Sequence, residues 1–318
     1  MNGISVEACA KVNLFLRILG LRPDGFHELW SLAQSISLAD RLDLEPAPGG
    51  IQLEVDGDPE VPSGPDNLVH RAAVRMLGHD PHPGVAMTLV KRIPHGAGLG
   101  GGSSDAAAAL LGIDRMFGLG TPSGTLREHA AALGSDVPFF LEGGTAVLRG
   151  RGTEIEALPD GPHLELLILD PRRPLSTALV YAQVQEPLTL AGKTASIPGF
   201  GRIPQDPLSR VRLGNDLETH AARLCPDIPE MRRLLLESGA RVAAMTGSGS
   251  AVFGLFDRAE TAQEAAGRAE QRGFRALPCR TLHRSEVGAG RFSARAPGVG
   301  PSGGAGHGDH RRPGVPCR

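Results

Sequence analysis

From Ile4 to Ile18 the chain alternates strictly: Ile4, Val6, Ala8, Ala10, Val12, Leu14, Leu16 and Ile18 share one parity. That period predicts a half-buried strand or strand pair. Lys11 and Asn13 fall on the other parity, so their side chains emerge together on the opposite face. On spacing alone that face is simply solvated. Leu21-Arg22-Pro23-Asp24-Gly25 reads as a turn, and Phe26-His27-Glu28-Leu29 follows it. Alternation resumes at Ile36–Leu38, Leu42–Leu44 and Ile51–Leu53–Val55, which predicts a small β-meander. The period then changes. Leu68, Val69, Ala72, Ala73, Met76 and Leu77 lie at helical spacing, with Asn67 placed to cap the helix and Gly78 to end it.

An alternating segment, Val85-Met87-Leu89, leads into KRIPHGAGLGGGSSDAAAAL, residues 91–110. A helix is predicted from about Ser104 to Phe117, burying Ala106, Leu110, Ile113 and Phe117. Asp105 suits the positive end of that helix but would repel a phosphate, so it is expected to face away. A second helix spans about Thr125 to Leu133. Beyond it Asp136 reads, on local sequence, as the start of an Asx turn beside Pro138. A hairpin over Gly143–Val147 and Thr153–Leu158 comes next. The remainder gives strand 164–169, helix 176–185, a long Pro/Gly-rich loop and helices within 215–238. Strands 241–245 and 251–256, helix 261–272 and strand 274–282 complete it. The order β-α-α-β-β-α-β is a split βαβ pattern with one added helix.

The run Gly96, Gly98, Gly100, Gly101, Gly102 entering a helix is the chemistry-bearing stretch. Glycine tolerates positive φ and lets backbone N–H groups approach an anion, and a helix start adds unpaired N–H groups and its dipole. A phosphate cradle therefore explains the stretch better than a flexible linker, which would not run into a strong helix former. Gly96, Gly98 and Gly101 also satisfy the dinucleotide fingerprint G-x-G-x-x-G after a strand. Against it, Asp114 falls inside the helix rather than on a following strand, and the motif does not sit at a first strand. A Walker A loop needs a Lys-Ser or Lys-Thr after the glycines, and none is there.

Composition narrows the classes. The 318 residues suffice for one large or two ordinary domains, and a net charge of −2 supplies no field for nucleic acid or an anionic membrane. Cys9, Cys225, Cys279 and Cys317 are widely spaced, which suggests neither a disulfide framework nor a structural zinc site. No signal-peptide pattern or membrane-length apolar run is seen, so a reduced, cytoplasmic protein is expected. From Ser285 onward Gly, Pro, Arg, Ser and His leave little to bury, and a disordered tail over 285–318 is expected. No pattern speaks to oligomeric state.

The string Pro94, His95, Gly96, Ala97, Gly98, Leu99, Gly100, Gly101, Gly102, Ser103, Ser104 resembles the ATP-binding signature of the GHMP kinases. The triple glycine before two serines is the form of one branch, the diphosphocytidyl-methylerythritol kinases. Ala10-Lys11-Val12-Asn13-Leu14 and Arg22-Pro23-Asp24-Gly25-Phe26-His27-Glu28-Leu29 resemble the opening of that branch. Gly134-x-Asp136-Val137-Pro138-Phe139-Phe140 resembles its catalytic segment, and Thr246-Gly247-Ser248-Gly249-Ser250 its third motif, a loop returning over the site. Ser176-Thr177 and Asn215-Asp216 match with less specificity.

The resemblance covers residues 4 to 283 and implies an α+β, two-domain GHMP kinase fold. It comprises a ribosomal S5 domain 2-like N-terminal, ATP-binding domain (1–160) and a ferredoxin-like C-terminal domain (161–284). It implies ATP and Mg²⁺ as cofactors and phosphorylation of the 2-hydroxyl of a diphosphocytidyl-linked methylerythritol, a step of the non-mevalonate isoprenoid route. It makes Lys11 and Asp136 catalytic, the 94–104 string ATP-binding, and Asn13, Phe26, His27 and Thr177 substrate-binding. Protein ligands of the metal are not specified, although Ser104 is a candidate. One departure stands out: the aromatic before His27 is typically tyrosine in that branch, and here it is Phe26. Stacking on a base needs only the ring. Two alternatives remain at this point, a GHMP-type kinase for homoserine or mevalonate and a non-catalytic nucleotide sensor on the same fold.

Overall fold

The computed structural model describes residues 3–184, 213–287 and 291–294. Most of the Pro/Gly-rich loop expected after the 176–185 helix, and the tail beyond 294, lie outside these residues.

β1 (Ile4–Leu21) and β2 (His27–Ala47) form one long antiparallel hairpin that organises the first half of the chain. β2 is bent, so its first half pairs with β5 (Thr145–Gly150) and its second with β4 (Gly84–Val90). β3 (Ile51–Asp56) runs parallel to β4 on the side away from β2. The expected meander is therefore corrected: β4 inserts between the two strands that sequence order makes neighbours. Local alternation fixes which face of a strand is apolar but says nothing about which strand lies beside it. β6 (Glu154–Ala157) closes the expected hairpin with β5.

α1 (Leu68–Leu77) is capped as the sequence predicts, the Asn67 side chain accepting the Val69 N–H at 2.8 Å. α2 (Gly101–Phe117) begins three residues earlier than expected and buries all of Ala106–Ala109, so it passes through the core. α3 (Ser123–Leu133) and the short α4 (Val137–Glu142) pack beside it. The sequence reading had no α4, because its six residues are too few to show a period.

In the second half β7 (Glu165–Asp170), α5 (Thr177–Ala182), a two-residue β8 (Gly214–Asn215), α6 (Glu218–Leu224) and α7 (Asp227–Glu237) lead to β9 (Val242–Met245). β10 (Val252–Phe256), α8 (Ala259–Gln271) and β11 (Arg275–Arg280) follow. The sheet order β11-β7-β10-β9 is fully antiparallel, as the split βαβ pattern requires. Helices α7 and α8 cover one face. The other face contributes Leu166, Ile168, Phe253 and Leu255 to a core shared with Val12, Phe15, Ile36 and Ile93 of the first half. The two halves thus meet through apolar surface, and a cleft opens along their seam.

The chain does not become featureless at Ser285. α9 (Arg284–Val287) buries Val287 against Cys9 and Leu282, and β12 (Phe292–Ala294) pairs with Ile4–Val6 of β1. Arg291 is 3% exposed and donates to Val287 O and Phe140 O. The composition of this stretch hid a few residues with well-placed partners, and there the expectation of a disordered tail is corrected.

Candidate active site

The glycine loop is held on three sides by main chain. Lys11 N–H of β1 donates to Leu99 O at 3.0 Å, Ala251 N–H to Ala97 O at 3.1 Å, and Leu175 N–H to Gly96 O at 3.0 Å. Three of its glycines are sterically required. Gly96 has φ of 62°, and a Cβ there would stand 2.6 Å from Pro174 Cβ. Gly98 has φ of 78°, and a Cβ there would stand 2.2 Å from Thr246 O; Gly100 has φ of 73°, and a Cβ there would strike the Phe140 ring at 2.7 Å. Gly101 and Gly102 instead form the first turn of α2. No side chain caps that helix, so its leading N–H groups face the cleft.

The cleft has a volume of about 1020 Å³. Lining it together are Lys11, Asn13, Phe26, His27, Asp136 and Thr177, with every residue of the loop from Pro94 to Ser103. Ser104 is the exception. Its side chain is buried and its hydroxyl donates to Cys9 O at 2.7 Å, tying α2 to β1 rather than facing a ligand. That corrects its expected place as an ATP or metal contact.

Lys11 Nζ donates to Asn13 Oδ1 at 2.5 Å and lies 3.4 Å from Asp136 Oδ2. Asn13 is fixed in turn: its Nδ2 donates to Ser31 Oγ at 2.7 Å and its N–H to Thr246 Oγ1 at 2.9 Å. The strand face expected to be solvated is therefore covered, Lys11 and Asn13 being 4% and 3% exposed. What covers it is the 246–250 loop of the second half, which local alternation could not reveal. Asp136 stands at the N-cap position of α4 with a half-exposed carboxylate, and it makes no capping bond to the helix. The Asx turn suggested by local sequence does not form, and the carboxylate is left to Lys11 and the cleft.

The returning loop is itself anchored. Asn215 Nδ2 donates to Met245 O at 3.0 Å and Gly247 O at 2.7 Å, and Ser248 Oγ lies 2.9 Å from Thr177 Oγ1.

At the other end of the cleft Phe26 is half exposed, with the Arg151 guanidinium 4.3 Å above its ring. The His27 and Tyr181 rings lie 5.2 Å apart. Burial holds the His27 pKa below the usual histidine range, favouring the neutral ring. Burial, and then the Asp136 charge, push the Tyr181 phenol upward, so it stays protonated.

Sequence reasoning missed the support beneath the loop. Lys91, at the end of β4, is buried between Asp40 and Asp105, with Nζ 2.7 Å from Asp105 Oδ2 and also bonded to Asp40 Oδ2. Asp40 Oδ1 accepts the N–H groups of Arg92 and Ile93, fixing the entry to the loop. Burial raises the pKa of Asp105 to about 8, Lys91 counteracting and Asp40 adding to the rise. The Asp105 carboxylate is bonded to Lys91, and both residues are among those that line the cleft. Its signal would have been the pairing of a lone buried lysine with two acids far apart in sequence. Arg151 and Tyr181 were missed because nothing local distinguishes them.

Among the described residues, the group of three potential metal ligands is His163, His283 and Glu286, away from this cleft. Those two imidazoles are stacked, 4.0 Å apart and within 11° of parallel, so their in-plane lone pairs do not converge on one point. No helix among the described residues is long and apolar enough to cross a membrane.

Comparison with known proteins matches this architecture. The GHMP kinases N terminal domain family covers residues 67–144 and the GHMP kinases C terminal family residues 207–275. A 4-diphosphocytidyl-2-C-methyl-D-erythritol kinase of Moorella thermoacetica is 43% identical over 287 residues, covering 89% of this chain and all of that protein. One from Pelotomaculum thermopropionicum is 42% identical over 296 residues, covering 88% of this chain and 98% of that one. A crystal structure of a 4-(cytidine 5'-diphospho)-2C-methyl-D-erythritol kinase superposes with a TM-score of 0.71 at 37% identity, over 87% of this chain and 98% of that one. On sequence and architecture together, the chain belongs to the GHMP kinase family, in the branch of these diphosphocytidyl-methylerythritol kinases.

Proposed function

We infer that this protein transfers the γ-phosphoryl group of ATP to the 2-hydroxyl of 4-diphosphocytidyl-2-C-methyl-D-erythritol, a step of non-mevalonate isoprenoid synthesis. The observation that carries this reading is one continuous cleft. A glycine-loop helix start, the Lys11–Asp136 pair and the Phe26–His27 turn all open into it.

Phosphoryl transfer asks a protein chiefly for positioning and charge stabilisation. The leading N–H groups of α2 suit the phosphates of ATP. Asp136 is placed to accept the proton of the substrate hydroxyl, and its freedom from any capping bond supports that role. Lys11 faces that carboxylate and offsets charge developing on the attacked oxygen. Asn13, locked between Lys11 and Ser31, orients the ammonium. Phe26 offers a ring face to the cytosine, and neutral His27 offers a hydrogen bond to its edge.

Mg²⁺ neutralises the transferring phosphoryl group when bound. Hard oxygen donors suit it. The phosphates would supply most of them, and Ser103 and Asp136 are side-chain oxygens of the cleft that would hold the ion.

Two features argue against the rival readings. A homoserine or mevalonate kinase has no use for the Phe26–His27–Tyr181 aromatic end, and a sensor has no use for an intact Lys11–Asp136 pair. Incubation with ATP, Mg²⁺ and a panel of alcohols, read by mass spectrometry, tests the reading. A monophosphorylated diphosphocytidyl-methylerythritol is expected. Phosphorylation of homoserine or mevalonate alone, or of nothing, would overturn it.

A further inference from the structure

Between the phosphate end and the aromatic end lies a cation that the site has not yet used. Three lysine and arginine side chains line the described cleft: Lys11, Lys91 and Arg151. Lys11 faces Asp136, and Lys91 is buried between Asp40 and Asp105. Arg151 has its guanidinium 4.3 Å above the Phe26 ring. Of the neighbouring acids, Asp24 and Glu28 are both bonded to Arg22, although the Arg151 charge also acts on Asp24.

The backbone holds Arg151 there. It opens the β5–β6 turn, between Gly150 (φ 66°) and Gly152 (φ 97°), with the Gly152 N–H bonded to Arg149 O at 3.0 Å. Arg149 pairs with Glu156 across the hairpin, and Arg151 projects into the cleft. The same turn abuts the reaction centre: a Cβ on Gly152 would lie 3.9 Å from Asp136 Oδ1. The Arg151–Gly152 pair therefore spans from Asp136 to Phe26.

We propose that Arg151 binds the diphosphate of the nucleotide-linked substrate and so sets the preference for a nucleoside diphosphate over an uncharged nucleoside. This rests on the function inferred above. A molecule with its base on Phe26 and its hydroxyl at Asp136 must lay its diphosphate along the stretch between them, where Arg151 stands. A guanidinium presents several N–H donors in a plane and matches phosphate oxygens two at a time. Resting on an aromatic face holds it in place before the ligand arrives.

The test is equilibrium binding of CDP and of cytidine to the full chain, for the wild type, Arg151→Ala, Arg151→Gln and Arg151→Lys. Wild type is expected to bind CDP more tightly than cytidine. Arg151→Ala should lose about 10- to 100-fold in CDP affinity with cytidine affinity retained, the range for one charge-assisted contact. Arg151→Lys should recover part of the loss. Arg151→Gln carries the same expectation should the alanine variant fold poorly. Parallel loss for CDP and cytidine would mean that Arg151 acts by holding the Phe26 ring, and unchanged CDP affinity would mean that it makes no contact. Either result overturns the proposal while leaving the kinase reading intact. A wild type that binds neither ligand overturns both.

Discussion

Lys11 Nζ stands 3.4 Å from Asp136 Oδ2, joining the first strand of the chain to the start of a short helix that sequence periodicity does not reveal. Because Asp136 makes no bond to its own helix, its charge can be removed without uncapping that helix. Asp136→Asn should therefore fold with a normal Tm while kcat falls by about 10² to 10⁴, the usual worth of a positioned base. Lys11→Met should also lower kcat, and the double variant should lose less than the product of the two, since the pair acts as a unit. Near-full kcat in Asp136→Asn would make the residue structural.

Phe26→Ala should raise KM for the cytidine substrate, base–aromatic stacking being worth about 1–3 kcal/mol. Phe26→Tyr keeps the ring and should be close to neutral. Steady-state kinetics on both variants decide it, and normal substrate binding by Phe26→Ala would remove the base from this turn.

The buried Asp40–Lys91–Asp105 cluster gives a pH prediction. The folded-state pKa of Asp105 is raised from 3.8 to about 8, so folding favours its protonated form. Stability from this group is present in full below about pH 4 and is lost as pH rises toward 8. Asp105→Asn mimics the protonated form and leaves Lys91 paired with Asp40. Its denaturant midpoint should equal or exceed that of the wild type at pH 8, and its stability should vary less between pH 5 and 8. A variant much less stable at pH 8 would show that the carboxylate is needed ionised.

Two glycines of the loop should respond differently. Gly98→Ala drives a Cβ against Thr246 O and imposes a left-handed conformation on a non-glycine residue, so it should lower Tm and weaken ATP-analogue binding together. At Gly102 the nearest atom to an added Cβ is Leu68 Cδ1, at 3.9 Å. Gly102→Ala should keep its Tm, and any loss of nucleotide affinity then reports phosphate approach alone. Equal melting for the two variants would contradict the packing described here.

Arg291→Met should destabilise the fold. It leaves the buried carbonyl of Phe140 without its donor, which costs about 1–3 kcal/mol. A melting curve checks this, and an unchanged Tm would mean that the segment around Arg291 is not docked.

Much of this was legible in the chain because it is encoded locally. The parity of Ile4 to Ile18, the Asn67 cap and the Gly96–Ser103 run each declare themselves within a few residues, and the order of the motifs adds the rest. What escaped depends on contacts between distant segments. β4 displaces β3 from β2, the 246–250 loop covers Asn13, and Lys91 finds Asp40 and Asp105. Ser104 shows the converse, a motif residue whose hydroxyl is committed to Cys9 O rather than to the cleft. Arg291 and β12 lay within a composition that gives no periodic signal at all.

The pairing of Ile4–Val6 with Phe292–Ala294 carries a consequence for how the chain is made. β1 is made before β8 and β12, yet both pair with it, β8 at Phe15–Leu16 and β12 at Ile4–Val6. Domains otherwise tend to fold from the N-terminus as synthesis proceeds, at about 5–20 residues per second. Here the Ile4–Val6 edge of β1 stays open until Phe292–Ala294 of the second half has been made. That edge is therefore exposed to other nascent chains until both halves of the fold have been made.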